Sequence, residues 1–231
     1  MGRYAKRLVS LNTELLWAKV WGDTIGDIPW LDNKIGISPG RWGVGYNYVY
    51  VMSRILEIIK PRAVLDCGFG ISSKLISQYF DYYNYSDGKH VILEHDDEWV
   101  KFYGKDMKLS ASSRIYMQKL VNKRKGWAKY PAYEDVKKDI GHMKFNIVSV
   151  DAPYGGERYS RRDILEVLPQ ILEKSWVIIL DDANRRGERR TIDAIMRILD
   201  NCKMEYVSAI YEGESDCCVI ASMDNRFLCS L

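Results

Sequence analysis

The stretch Ala63 to Ser73, AVLDCGFGISS, decides how this chain is read. An apolar run carries Asp66 near its end, and glycines follow at Gly68 and Gly70. SSKLISQYF then has the spacing of an amphipathic helix, with Ser72 or Ser73 placed to cap it. The order is strand, tight turn, helix. Glycine lets the backbone approach a ligand where a side chain would block it, and the free N–H groups opening the helix favour an electron-rich group. Such a corner suits a nucleotide-type ligand.

Glycine spacing alone is weak, because Ser73 stands where G-x-G-x-x-G has its third glycine. Two acids strengthen it. Asp66 lies two residues before Gly68, where a carboxylate can meet a cationic ligand group, and Glu94 closes the next strand-like run, HVILE. That is the place expected for an acid that takes a ribose hydroxyl pair. Together these residues resemble the first motif, acid-x-Gly-x-Gly, of class I S-adenosylmethionine (SAM) dependent methyltransferases. The resemblance implies SAM as cofactor, with Asp66 near its methionine end and Glu94 on its ribose. It places Gly68, Gly70, Ser72 and Ser73 around the cofactor, with His95 against the adenine and Asp151 beside it. Dinucleotide dehydrogenases usually carry an apolar residue at the Asp66 position and rank lower.

Outward from this corner, short apolar runs alternate with helical patterns. Tyr46 to Lys60 reads as a helix closed by Pro61, HDDEWVKFYGKDM as a helix start, NIVSVD (146–151) and WVIILD (176–181) as buried strands, and Arg190 to Leu199 as a helix. Tyr159 to Glu173 has helical spacing at Ile164, Leu165, Leu168, Ile171 and Leu172, and Arg114 to Leu120 is a weaker strand. Two β-rich runs around Glu212 to Ser215 predict a closing hairpin. The expected fold is α/β: a Rossmann-like, mostly parallel sheet with a C-terminal antiparallel hairpin and helices on both faces. One domain over 1–231 is expected, with N-terminal helices and a cap loop in 1–60 and the core in 61–231. Leu8 to Trp21 reads as an amphipathic packing helix. The aromatic-rich loop after it, with Arg41 and Trp42, divides evenly between covering the core and lining a substrate cleft.

Composition narrows partners only slightly. A net charge of +3 does not call for nucleic acid or a membrane surface. The five cysteines form no C-x-x-C pair, so neither a zinc site nor a disulfide framework is expected and a reducing cytoplasm fits. No run approaches the roughly 18 apolar residues of a spanning helix. The basic segment from Lys119 to Lys129 around Trp127 is a candidate contact for phosphate or an acidic sugar, though charge runs are more often solvated.

In an open α/β sheet the ligand lies beyond the strands' carboxyl ends. Asp66, Glu94, Asp151, Asp181 and Asp182 all fall there, and carboxylates so close together raise one another's pKa. Asp151 is the leading general base for a hydroxyl acceptor and Asp182 the second. Tyr154, Arg158, Arg185 and Arg41 are the expected acceptor contacts, since guanidinium groups bind carboxylate or phosphate through paired hydrogen bonds.

A narrower resemblance rests on Leu93, Glu94, Asp96 and Trp99 (LExDxxW), on VDAPxG at Val150 to Gly155, and on DDANR at Asp181 to Arg185. As an ordered set these are similar to the plant glucuronoxylan 4-O-methyltransferases and their bacterial polysaccharide-linked relatives. The implied activity is O-methylation of a sugar or sugar-acid hydroxyl. The pairing of Asp151 with Asp181 and Asp182 also resembles the divalent-metal set of catechol-type O-methyltransferases, so a metal-assisted small-molecule reaction stays open beside it, although a metal is not part of the expected set. A nucleic-acid methyltransferase and a non-catalytic SAM-binding module in a glycan assembly complex are the remaining alternatives. Oligomeric state is open.

Overall fold

The computed structural model describes residues 3–32, 36–37, 39, 43–105 and 107–231. Nine strands are described: β1 Ala63–Cys67, β2 Lys89–Glu94, β3 Ser113–Met117, β4 Leu120–Lys125, β5 Ala128–Tyr133, β6 Phe145–Val150, β7 Leu172–Leu180, β8 Tyr206–Tyr211 and β9 Cys217–Ser222. Six α-helices accompany them: α1 Arg3–Thr24, α2 Tyr46–Ile59, α3 Ile71–Tyr83, α4 Asp97–Gly104, α5 Val136–Ile140 and α6 Arg186–Asn201.

Seven strands form one sheet in the order β3-β2-β1-β6-β7-β9-β8. The first five run parallel, and β9 is antiparallel to both β7 and β8. The expected sheet and its closing hairpin are therefore present. Strand order reverses between β1 and β6, where a crevice opens at the carboxyl ends. There the Asp151 N–H donates to Cys67 O at 2.9 Å, tying the turn after β6 to the end of β1.

Each central strand sends alternate side chains to opposite faces. Val64, Ile147, Val177 and Val219 pack with α2 and α3, whereas Leu65, Val148, Ile178 and Ile220 pack with α5, α6 and the 162–166 turn. Both faces are covered, which explains the nearly continuous apolar runs. The α2 helix ends on Lys60, left-handed at φ 49°, just ahead of Pro61.

Three expectations change. The helix expected over 159–173 is a short 3-10 turn, Arg162–Glu166, after which β7 begins at Leu172. Pro169 is the reason, since within a helix it lacks an N–H and its ring clashes with the carbonyl four residues back. The strand expected over 114–120 is Ser113–Met117, and Leu120 instead opens a separate β4–β5 hairpin that carries the basic segment. Helix α1 buries Trp21 but leaves Leu15 and Leu16 exposed, so only part of its apolar surface packs. Among the described residues no helix is long and apolar enough to cross a membrane.

Candidate active site

Asp66 shares the sheet face of Val64, so its carboxylate points beneath the helices and is 0% exposed. Its Oδ1 accepts from Ser149 Oγ at 2.6 Å, its Oδ2 from Ser73 Oγ at 2.6 Å, and Ser72 Oγ lies 3.1 Å from both. Tyr48 OH reaches Ser149 Oγ at 2.7 Å and extends the network to α2. Strand alternation turns Asp66, expected to meet a cationic ligand group, inward, where its carboxylate is held by the serine hydroxyls of β6 and α3. Ser72 and Ser73 likewise sit inside the first turn of α3, their hydroxyls on Asp66, and Ser73 Oγ also accepts the Gly70 N–H at 3.2 Å. Gly68 is left-handed at φ +113°, with Ala152 only 3.1 Å from where a Cβ would stand. Gly70 has open space on that side.

Phe69, between the glycines, is held at both ends. Its N–H donates to Glu94 Oε2 at 3.0 Å and its carbonyl accepts from Trp99 Nε1 at 2.6 Å. Glu94 Oε1 takes the N–H groups of His95 at 2.6 Å and Asp96 at 3.0 Å, and Asp96 caps α4 by accepting from Trp99 N at 3.0 Å. Every polar residue of the LExDxxW string thus braces the glycine turn or the helix beside it. Burial pushes the Glu94 carboxyl up, but the His95 ring and the N–H groups of Asp96, His95 and Phe69 outweigh it and hold the carboxyl below its usual range. His95 lies between Tyr154 and Tyr133, with ring centroids at 5.6 and 6.1 Å. Tyr154, expected at the acceptor, therefore stands on the Glu94 side of the rim.

Across the switch point lie Asp151, Asp181 and Asp182, each offering a carboxylate oxygen within 4.8 Å of the others. Arg161 joins them. Its Nη2 donates to Asp182 Oδ2 at 2.7 Å and Asp151 Oδ1 at 3.1 Å, while Nη1 donates to the Asp181 carbonyl at 2.7 Å. The arginine side chain is 3% exposed, and that of Asp151 is 25% exposed. Asp182 Oδ2 also meets Arg185 Nη1 at 2.7 Å, and its Oδ1 accepts from Ser215 Oγ at 2.8 Å. Asp182, expected as the second base, thus holds two cations and a hydroxyl on its oxygens. Burial pushes Asp151 well up, against the pull of Arg161 and with the push of Asp181 and Asp182. Burial and the neighbouring Asp182 raise Asp181 to about 7, also against Arg161.

Beside the triad a cleft of about 790 Å³ opens between the hairpin tip and the start of α6, lined by Trp127, Lys129, Arg158, Arg185 and Arg186. Trp127 is 78% exposed, and the Arg158 guanidinium lies 4.3 Å from its ring centroid. Arg158 and Arg185 are thus brought together, and the basic hairpin reaches them. Arg41 lies outside the described residues. Arg161 and Ser149 are not among the expected site residues: Arg161 is one of several arginines following the two acidic strand ends, whereas a serine inside the apolar run NIVSV is a visible signal.

No protein-family model matches the chain, and no curated protein matches it in sequence. In three dimensions it is similar to a protein from Klebsiella pneumoniae described as an O-methyltransferase, at 14% identity over 90% of this chain and 98% of that one, TM-score 0.57. It is also similar to the Bacillus cereus O-methyltransferase in complex with S-adenosylhomocysteine, at 14% identity, 91% of each chain and TM-score 0.54. TomG from Streptomyces achromogenes, an O-methyltransferase of tomaymycin synthesis solved with SAM, aligns at 11% identity, 91% and 89% coverage and TM-score 0.52. The chain has the Rossmann-like methyltransferase fold. None of these three proteins is described as acting on a glycan.

Proposed function

We propose that this chain is a SAM-dependent O-methyltransferase, cytoplasmic and acting as one domain, whose acceptor carries an anionic group beside the hydroxyl. A sugar acid, free or within a glycan, is the finer reading. The carrying observation is that the Gly68–Gly70 turn is flanked by two carboxylates of opposite character. Glu94, at the end of β2, is held ionised by N–H groups. Asp151, after β6, is pushed by burial well above the usual carboxylate range.

When bound, SAM supplies a methyl group already activated on a sulfonium. The open side of Gly70 and the rim of Glu94 and His95 fit its adenosine portion. The chain then has to align acceptor and methyl, a contribution of about 7–11 kcal/mol in well-oriented reactions. It must also take the hydroxyl proton, which Asp151 is placed to accept; a positioned base contributes about 10²–10⁴ in rate. Arg158, Arg185 and Lys129 supply the positive wall for the acceptor's anionic group, and Trp127 a flat apolar surface for a ring. Two hairpin-region lysines are already ion-paired, Lys119 with Glu134 and Lys123 with Glu166, which favours a compact anion over a long polyanion.

Thermal melting with SAM, S-adenosylhomocysteine or NAD tests the cofactor. A ligand at about 100 times its Kd adds about 2.7 kcal/mol, several degrees at this size. Mass spectrometry over matched acidic and neutral acceptors tests the rest. A shift with NAD alone, or equal use of neutral acceptors, refutes the corresponding half.

A further inference from the structure

We propose that Arg161 takes the place of a divalent cation among Asp151, Asp181 and Asp182, so that the site works without metal and Arg161 is the positioning residue for Asp151. Three carboxylates within 4.8 Å of one another repel when ionised, and a positive partner relieves that repulsion. A metal ion would draw on the oxygen lone pairs they share. Here one guanidinium nitrogen already bridges Asp151 and Asp182, at 3.1 and 2.7 Å, and the other is fixed on the Asp181 carbonyl at 2.7 Å. Asp182 is already heavily used: Arg161 and Arg185 both lie on its Oδ2, and Ser215 donates to its Oδ1.

The guanidinium is also not free to swing out of the way. It is 3% exposed. Ser160, the residue before it, is pinned from α6 on both its groups: its Oγ donates to Glu188 Oε1 at 2.8 Å and its carbonyl accepts from Thr191 Oγ1 at 2.5 Å. A divalent ion entering the triad would share two oxygens with a buried, permanently charged group. The residues present therefore do not fit a catechol-type metal site, and the guanidinium supplies positive charge with directional hydrogen bonds in its stead.

The test uses the full chain dialysed against EDTA and titrated with Mn²⁺, followed by electron paramagnetic resonance. The expected result is no saturable site in the wild type and one new site in Arg161→Ala. One saturable Mn²⁺ in the wild type that Asp151→Asn abolishes would overturn the proposal, and this arm needs no Arg161 variant to fold. The positioning role rests on the methyltransferase reading and has its own arm. Arg161→Ala should lose at least tenfold in kcat with SAM affinity nearly unchanged, recover part of it with Mn²⁺, and be partly rescued as Arg161→Lys, while the wild type is indifferent to EDTA. An unchanged kcat in Arg161→Ala overturns the positioning role. Absence of turnover with every acceptor would instead sink the methyltransferase reading and leave the Mn²⁺ result standing.

Discussion

Arg161 and Asp182 meet at 2.7 Å, and both hold left-handed backbones, at φ 53° and 62°. Residues with a Cβ pay a steric cost there of about 1–2 kcal/mol, which asparagine tolerates better than alanine. Asp182→Asn keeps the backbone preference and loses the charge, whereas Asp182→Ala loses both. Alanine should therefore melt lower than asparagine by about 1 kcal/mol, or about 2–4 °C for a chain of this size. Equal melting temperatures would mean that the side-chain contacts alone fix the turn.

Asp151→Asn removes the proposed proton acceptor while keeping shape. The expected loss in kcat is about 10²–10⁴, with SAM affinity within a few-fold, read by single-turnover kinetics and calorimetry. A variant at full rate would move the base elsewhere.

Asp181 is raised to about 7, and its negative charge helps keep Asp151 high. A base works once deprotonated, so activity should climb as pH rises through the range where this coupled pair ionises. Asp181→Asn takes away a negative neighbour, so Asp151 should ionise at lower pH and the acid limb of kcat/KM should move down. A limb that stays in place refutes the coupling.

Arg158 stands on Trp127 and Arg185 on Asp182, and both line the same cleft. Arg158→Ala should raise KM for an acidic acceptor about tenfold, the worth of one charge-assisted contact of roughly 1.5 kcal/mol, with SAM binding unchanged. Trp127→Ala should follow in the same direction, since it removes the surface that orients Arg158. For Arg185→Ala the same acceptor-selective loss is expected, and equal loss of SAM affinity would count against its assignment.

The sheet was legible because its strands are buried on both faces and its turn residues are local: AVLDC, HVILE, NIVSV and WVIIL each announce themselves. The closing hairpin was legible for the same reason. The 159–173 segment shows helical spacing yet folds mostly as an irregular packed loop, since apolar residues at helical intervals serve equally there and Pro169 bars a continuous helix. The strand end that carries Asp66 was legible, but the direction of its carboxylate was not, since it depends on the pleat of β1 and on Ser149, 83 residues away in sequence. Arg161 had no local signature at all. Its partners lie 10 residues upstream, at Asp151, and 21 residues downstream, at Asp182, and only the folded chain brings them together.

The serine-bound Asp66 has a kinetic meaning. Because hydroxyls from β6 and α3 already satisfy its carboxylate, the loop's conformational entropy is surrendered during folding rather than on encounter with a ligand. Preorganisation of this kind cuts the ordering cost of association. A small molecule arriving at the bend would meet a finished mould, and its residence time would be governed by the contacts it makes there.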